Sequence, residues 1–304
     1  MNINFSHAGE FYSTLCALLW AIGVLLFKKS GERVAPVPLN MFKDTVALLL
    51  FAISMLVAGV PLYPAGTTSS DVIVLAISGV LGIGIADSLF FASLNRLGAG
   101  RSAIVDCLYS PFIILGSFLY LHEPIGPAVL LGMLLMIAAI LTGVWNPERG
   151  ENERARRSIH LGALLGMFSM ALMAVGIVMA KPVLDRSDPL WATTVRLAGG
   201  WIFLFLQCSR KRYRAQALAC FRPSRDWSYT VSSAVVGSYL AMFFWVAGMK
   251  YTYTTLASVL NQLSTIFVVM LSAVFLREPL TWRRLLAMVL GFGGAVIAIV
   301  GLGN

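Results

Sequence analysis

Apolar residues in this chain come in runs of roughly 20, the length a helix needs to cross a bilayer, and short polar connections separate them. Qualifying runs start near Phe11, Val37, Asp71, Ser102, Gly126, Leu161, Leu190, Trp227, Leu256 and Leu285. The pattern predicts an all-α membrane protein of ten transmembrane helices. Its longest polar stretches, Asn146 to His160 and Ser209 to Asp226, leave no room for a soluble domain.

Composition agrees: 58% of the residues are hydrophobic, only 12% are charged, and the mean hydropathy is +0.81, far from the balance of a water-soluble domain. The first run is preceded by Glu10 and followed at once by Lys28 and Lys29. That is the reverse of a cleaved signal peptide, so it reads as a retained helix. Cys16, Cys107, Cys208 and Cys220 form no CxxC and no pairable framework, and read as small apolar fillers. The net charge of +9 is informative through its placement. Lys and Arg crowd the odd-numbered connections, at Lys28, Lys29 and Arg33 after span one and again from Arg210 to Arg225 after span seven. The even-numbered ones carry only Lys181, Arg186 and Lys250. By the positive-inside rule the odd connections lie in the cytoplasm and both termini outside, in the inner membrane of a cell. Nucleic acid is not an expected partner, because no aromatic stacking platform accompanies these charges.

The chain repeats itself. Leu121-His122-Glu123-Pro124 recurs as Leu276-Arg277-Glu278-Pro279, an offset of 155 that also lays Gly82 on Gly237, Leu108 on Leu263 and Asp106 on Asn261. Near the start of each half an offset of 153 superposes Gly23 on Gly176, Lys28 on Lys181, Pro36 on Pro189 and Lys43 on Arg196. Two five-helix units are expected, residues 11–145 and 161–303, joined by a charged cytoplasmic linker, 146–160. An odd number of spans per unit makes the second enter the membrane from the opposite side, so the repeats are inverted, an arrangement common among secondary transporters.

The two-unit layout resembles the EamA branch of the drug/metabolite transporter superfamily. The likeness rests on Trp20 within Leu18-Leu19-Trp20-Ala21, the Pro-x6-basic opening of spans two and seven, and Leu-x-Glu-Pro after spans four and nine. It covers nearly the whole chain. The resemblance implies a secondary transporter, commonly an exporter of amino acids or related metabolites. It also implies termini in the cytoplasm, opposite to the charge count.

Charged side chains inside a membrane are costly and must face a cavity or a partner. The candidates are Lys43 and Asp44 in span two, Asp87 in span three, Asp106 in span four and Arg196 in span seven, with Asn261 in span nine. Lys43, Asp87 and Asp106 all sit roughly 8–10 Å below the same face. Lys43 is expected to neutralise one carboxylate and leave the other for a cationic group or a proton. Asp44 is expected to stand apart, pointing about 100° away on the helix. Arg196 and Asn261 form the acid-free counterpart, a combination that suits a zwitterionic substrate or proton coupling. Tyr109, one turn from Asp106, and Trp20 are candidate cavity walls. Glu123 and Glu278 are expected helix-start anchors. No cofactor is implied. No HExxH or serine-histidine pairing lies in the spans, which argues against an enzyme. A carrier or flippase for nucleotide- or lipid-linked sugars, a non-transporting scaffold, and a purely structural ion pair stay open as alternatives.

Overall fold

The computed structural model describes residues 8–121, 125–145, 152–223, 227–251 and 260–302. Its described residues form helices and connections only. Eight helices are long and apolar enough to cross a membrane: α1 Ala8–Gly31, α2 Pro36–Ala58, α3 Ser69–Leu97, α4 Ala99–Tyr120, α5 Pro127–Val144, α6 Glu153–Leu184, α7 Pro189–Cys208 and α8 Trp227–Gly248. The shorter apolar α9, Leu263–Phe275, and the 21-residue α10, Trp282–Leu302, occupy the places of the ninth and tenth expected spans. A short helix, Lys211–Cys220, lies between α7 and α8.

Helix starts follow from local chemistry. Proline opens α2, α5 and α7, where its missing N–H is no loss. Asp188 accepts from the backbone N–H groups of Leu190 and Trp191 at 2.9 and 3.2 Å, and Thr68 with Asp71 forms a capping box on α3. Glu278 is the anchor the sequence suggests, although it serves the other half of the chain. It accepts from the backbone N–H groups of Ala99 and Gly100, at 2.7 and 3.0 Å, and so caps α4, while Arg284 supports it at 3.4 Å. Gly98, at a φ of 82°, makes the turn that lets this carboxylate approach. Glu278→Ala is expected to cost about 1–2 kcal/mol, the loss of a cap and of a favourable charge at a helix N-terminus, read as a lower melting midpoint of the solubilised protein. Glu123 lies outside the described residues.

Lipid supplies no hydrophobic drive for one helix to meet another, so close packing of small residues holds the bundle. The close contacts come in pairs that exchange under the sequence repeat. A Cβ on Gly23 of α1 would come within 2.5 Å of Gly237 Cα in α8, and one on Gly176 of α6 would come within 3.5 Å of Gly82 Cα in α3. Gly132 packs on Ala298 and Gly143 on Ala287, so α5 and α10 run antiparallel. An offset of 155 turns each of those two contacts into the other. The same holds where α4 crosses α9: Gln262 donates to Ser110 Oγ at 2.9 Å, and Cys107 Sγ lies 3.7 Å from Thr265 Oγ1. Each of these contacts thus has a counterpart made by the equivalent residues.

Both α4 and α9 are interrupted at that crossing. In α4 the regular helix stops at Asp106 and resumes at Tyr109, and the amides of Cys107 and Leu108 bond back only three residues. Pro111 explains the break, since it has no N–H for the Cys107 carbonyl. In the second half Gln262, the equivalent of Cys107, is likewise a turn residue between Asn261 and Leu263. A second matched irregularity is a wide, π-helical turn at Val80–Ala86 in α3 and Ala234–Leu240 in α8. Such turns inside α-helices often mark functional sites.

Candidate functional site

Lys43 begins the site. It lies in the first third of α2, 5% exposed, and its ammonium donates to Asp44 Oδ1 at 2.6 Å and to Asp87 Oδ2 at 2.8 Å. The Phe91 ring lies 5.8 Å from the Nζ. Asp44 therefore belongs to the cluster, contrary to the angular expectation. The lysine's four-carbon arm curls round to its own neighbour and reaches α3 with the same ammonium. Asp44 is fully buried and its Oδ2 has no hydrogen-bond partner among the described residues. Two carboxylates share one cation, so the triad can hold one further positive charge or proton.

The π-helical turn of α3 sets Asp87 in place. Widening the turn frees backbone carbonyls, and side chains from neighbouring helices take them up. Asn40, one turn before Lys43, donates its amide to the carbonyls of Ile83 and Gly84 at 2.8 and 3.2 Å and to Ser88 Oγ at 3.0 Å. Ser169 of α6 donates to the Ala86 carbonyl at 2.6 Å. Asn40 went unremarked in the sequence, yet its spacing of three from Lys43 puts both on one helix face.

Arg196, the equivalent of Lys43, points at α3 as well. Its Nε donates to Ser78 Oγ at 2.9 Å, and Ser78 in turn donates to the Gly176 carbonyl at 2.7 Å. The guanidinium interacts electrostatically with Tyr109 and Asp87 but makes no ion pair among the described residues. Arg196 thus faces the same stretch of α3 as Lys43, the wide turn that leads to Asp87. Asp106 sits half-buried at the break in α4, with no hydrogen bond or ion pair among the described residues. Trp20 stacks near Phe90, ring centroids 6.1 Å apart, three residues along α3 from Asp87. Asn261 is engaged elsewhere: its amide is satisfied with the nitrogen donating to the Ser13 carbonyl at 3.1 Å and the oxygen accepting from Trp245 Nε1 at 3.3 Å.

The two faces of the bundle differ. Lys28 reaches from α1 to the end of α3 and donates to the Asn95 carbonyl at 3.0 Å. Its equivalent Lys181 stays on its own helix, half-exposed and paired with Asp185.

A multi-pass, all-helical membrane protein with two related halves and buried charge where they meet is the class these features define. The model of the EamA-like transporter family matches the chain twice, over residues 7–144 and 160–300. The chain belongs to that family, and it is a membrane transporter. Similar proteins include the uncharacterized transporter YetK of Bacillus subtilis, 23% identical over 95% of this chain and 86% of its own length. PecM of Dickeya dadantii is 24% identical over 73% and 72%, and an uncharacterized transporter of Archaeoglobus fulgidus is 22% identical over 95% of both chains. A solved crystal structure covers 95% of this chain and 96% of its own, with a TM-score of 0.63 at 18% identity, and so shares the fold.

Proposed function

We propose that this protein is a secondary transporter of the inner membrane that exports a small polar metabolite of the amino-acid kind. Its two units, 11–145 and 161–303, are inverted repeats that rock about the site where they meet, with protons as the coupling ion. One observation carries the reading. Inside the bundle a guanidinium, Arg196, lacks an anionic partner and a carboxylate, Asp106, lacks a cationic one among the described residues, in a bundle that also holds a lysine shared by two acids. Charges left uncompensated in a membrane call for a ligand that supplies the complement, and a zwitterion supplies both signs.

The interruptions of α4 and α9 support the same place, because broken helices at the repeat interface are where transporters of this architecture hold substrates. In this reading Lys43, Asp87, Asp106, Tyr109 and Arg196 bind substrate and proton, Trp20 walls the cavity, and Asn261 joins α9 to α1. Ties between the two units lie on both faces: Glu278 to the start of α4 on the face with the basic connections, the cytoplasmic one, and Arg186 to Asp71 on the face of Lys181.

The test compares metabolites in the medium of cells overproducing wild type or Asp106→Asn at matched membrane expression. One class of compound is expected to accumulate outside only with the wild type, at least tenfold over the variant. Matching media would remove the export reading.

A further inference from the structure

The short helix Lys211–Cys220 has no part in the site. Its ten residues, about 15 Å long, are too few to span a bilayer. It follows the end of α7 after only Ser209 and Arg210, and so begins at the membrane boundary. Arg210, Lys211, Arg212, Arg214 and Arg222 are all exposed, and none forms an ion pair among the described residues. Lys211, Arg214, Leu218, Phe221 and Arg222 fall on one stripe at helical spacing, and there Leu218 and Phe221 are 56% and 40% exposed. The opposite side, Ala217 and Cys220, is buried.

The end of the helix is seated firmly, Phe221 giving one edge of its ring to the protein and leaving the rest exposed. Phe42 of α2 packs against Phe221 and Trp227, with ring centroids 5.1 and 6.4 Å apart, and Trp227 Nε1 donates to the Cys220 carbonyl at 2.9 Å. Phe42 lies six residues into α2, about 9 Å below its start. The helix is therefore held at the depth where interfacial helices bury their apolar side, among headgroups and the first acyl carbons.

We infer that the stripe Lys211, Arg214, Leu218, Phe221 and Arg222 binds anionic phospholipid of the surrounding leaflet, phosphate groups meeting the cations and acyl chains meeting Leu218 and Phe221. Unpaired basic side chains at the membrane boundary provide the charge complement. The two exposed apolar residues between them separate a leaflet from a soluble polyanion, which offers nothing to cover them. Each basic residue near an anionic surface strengthens such binding by a few-fold.

The test uses the full chain in phosphatidylcholine vesicles, with an environment-sensitive fluorophore on Leu218→Cys and traces of nitroxide-labelled lipid as quencher. Labelled phosphatidylglycerol is expected to quench several-fold more than labelled phosphatidylcholine at equal mole fraction. The preference is expected to vanish when Lys211, Arg214 and Arg222 are all changed to Gln, exposed substitutions that leave the packed side intact. Equal quenching by the two lipids, or a preference that survives the triple change, would overturn the inference. So would its abolition by inorganic phosphate beyond a sodium chloride control of the same ionic strength, which would mark a site for free phosphate.

Discussion

Lys43→Met is expected to abolish transport and to lower the stability of the folded protein by about 3–5 kcal/mol, the usual loss when one partner of a buried ion pair is removed. The magnitude follows from what is left behind. Asp44 is fully buried, and Lys43 is its only hydrogen-bond partner among the described residues, so its charge loses its compensation. Asp87, at 16% side-chain exposure, keeps some access and suffers less. Removing all the charge, as Lys43→Met with Asp44→Asn and Asp87→Asn, is expected to restore most of the stability and none of the transport. Melting midpoints of the solubilised proteins, read beside an export assay, check both. A single variant that melts with the wild type would mean that the cluster is not held by these pairs. A triple variant that still transports would make the cluster structural.

Gly79→Ala is expected to be as damaging, for a steric reason. A Cβ there would lie 1.8 Å from the backbone carbonyl oxygen of Arg196, and that group cannot swing aside as a side chain would. α3 and α7 must separate, at a cost at or above the usual 1–3 kcal/mol or so of overpacking. Separation also draws Arg196 away from Ser78. Gly293→Ala is the control, because nothing lies within 4 Å of its added Cβ. It is expected to be neutral or slightly stabilising, since alanine favours a helix over glycine by about 0.5–1 kcal/mol. Recovery of monodisperse protein after detergent extraction, with the melting midpoint, separates the two variants.

Much of this was legible in the sequence because lipid penalises charge and rewards repetition. Lys43, Asp87, Asp106 and Arg196 stand out in any apolar run, and the offsets that pair Lys43 with Arg196 also pair the breaks in α4 and α9. Asp44 was misjudged because helical angles describe where a side chain leaves the backbone, whereas a lysine reaches far enough to bridge neighbours 100° apart. Pro111 was a readable cause for the break in α4. Gln262 carries no such signal, and only its equivalence to Cys107 points to it. The π-helical turns escaped a reading that assumes 3.6 residues per turn. The partners of Asn261, on α1 and α8, are set by packing between distant segments and leave no local trace. Eight of the ten expected spans meet the length and polarity of a crossing helix among the described residues.

The Arg186–Asp71 pair, which joins the two units at the face of Lys181, offers the most direct test of the rocking motion. Reactivity toward a water-soluble maleimide would be measured at Asn95→Cys and, separately, at Lys181→Cys, in nanodiscs where both faces meet the reagent. Each would be compared with and without Arg186→Gln. The four native cysteines are buried and set a low background. If the halves alternate about the central site, cutting the Arg186 tie raises the rate at position 181 and lowers it at position 95, as one face opens and the other closes. A rise at position 181 with no change at position 95 would show only local loosening, and would contradict alternating access between these two faces.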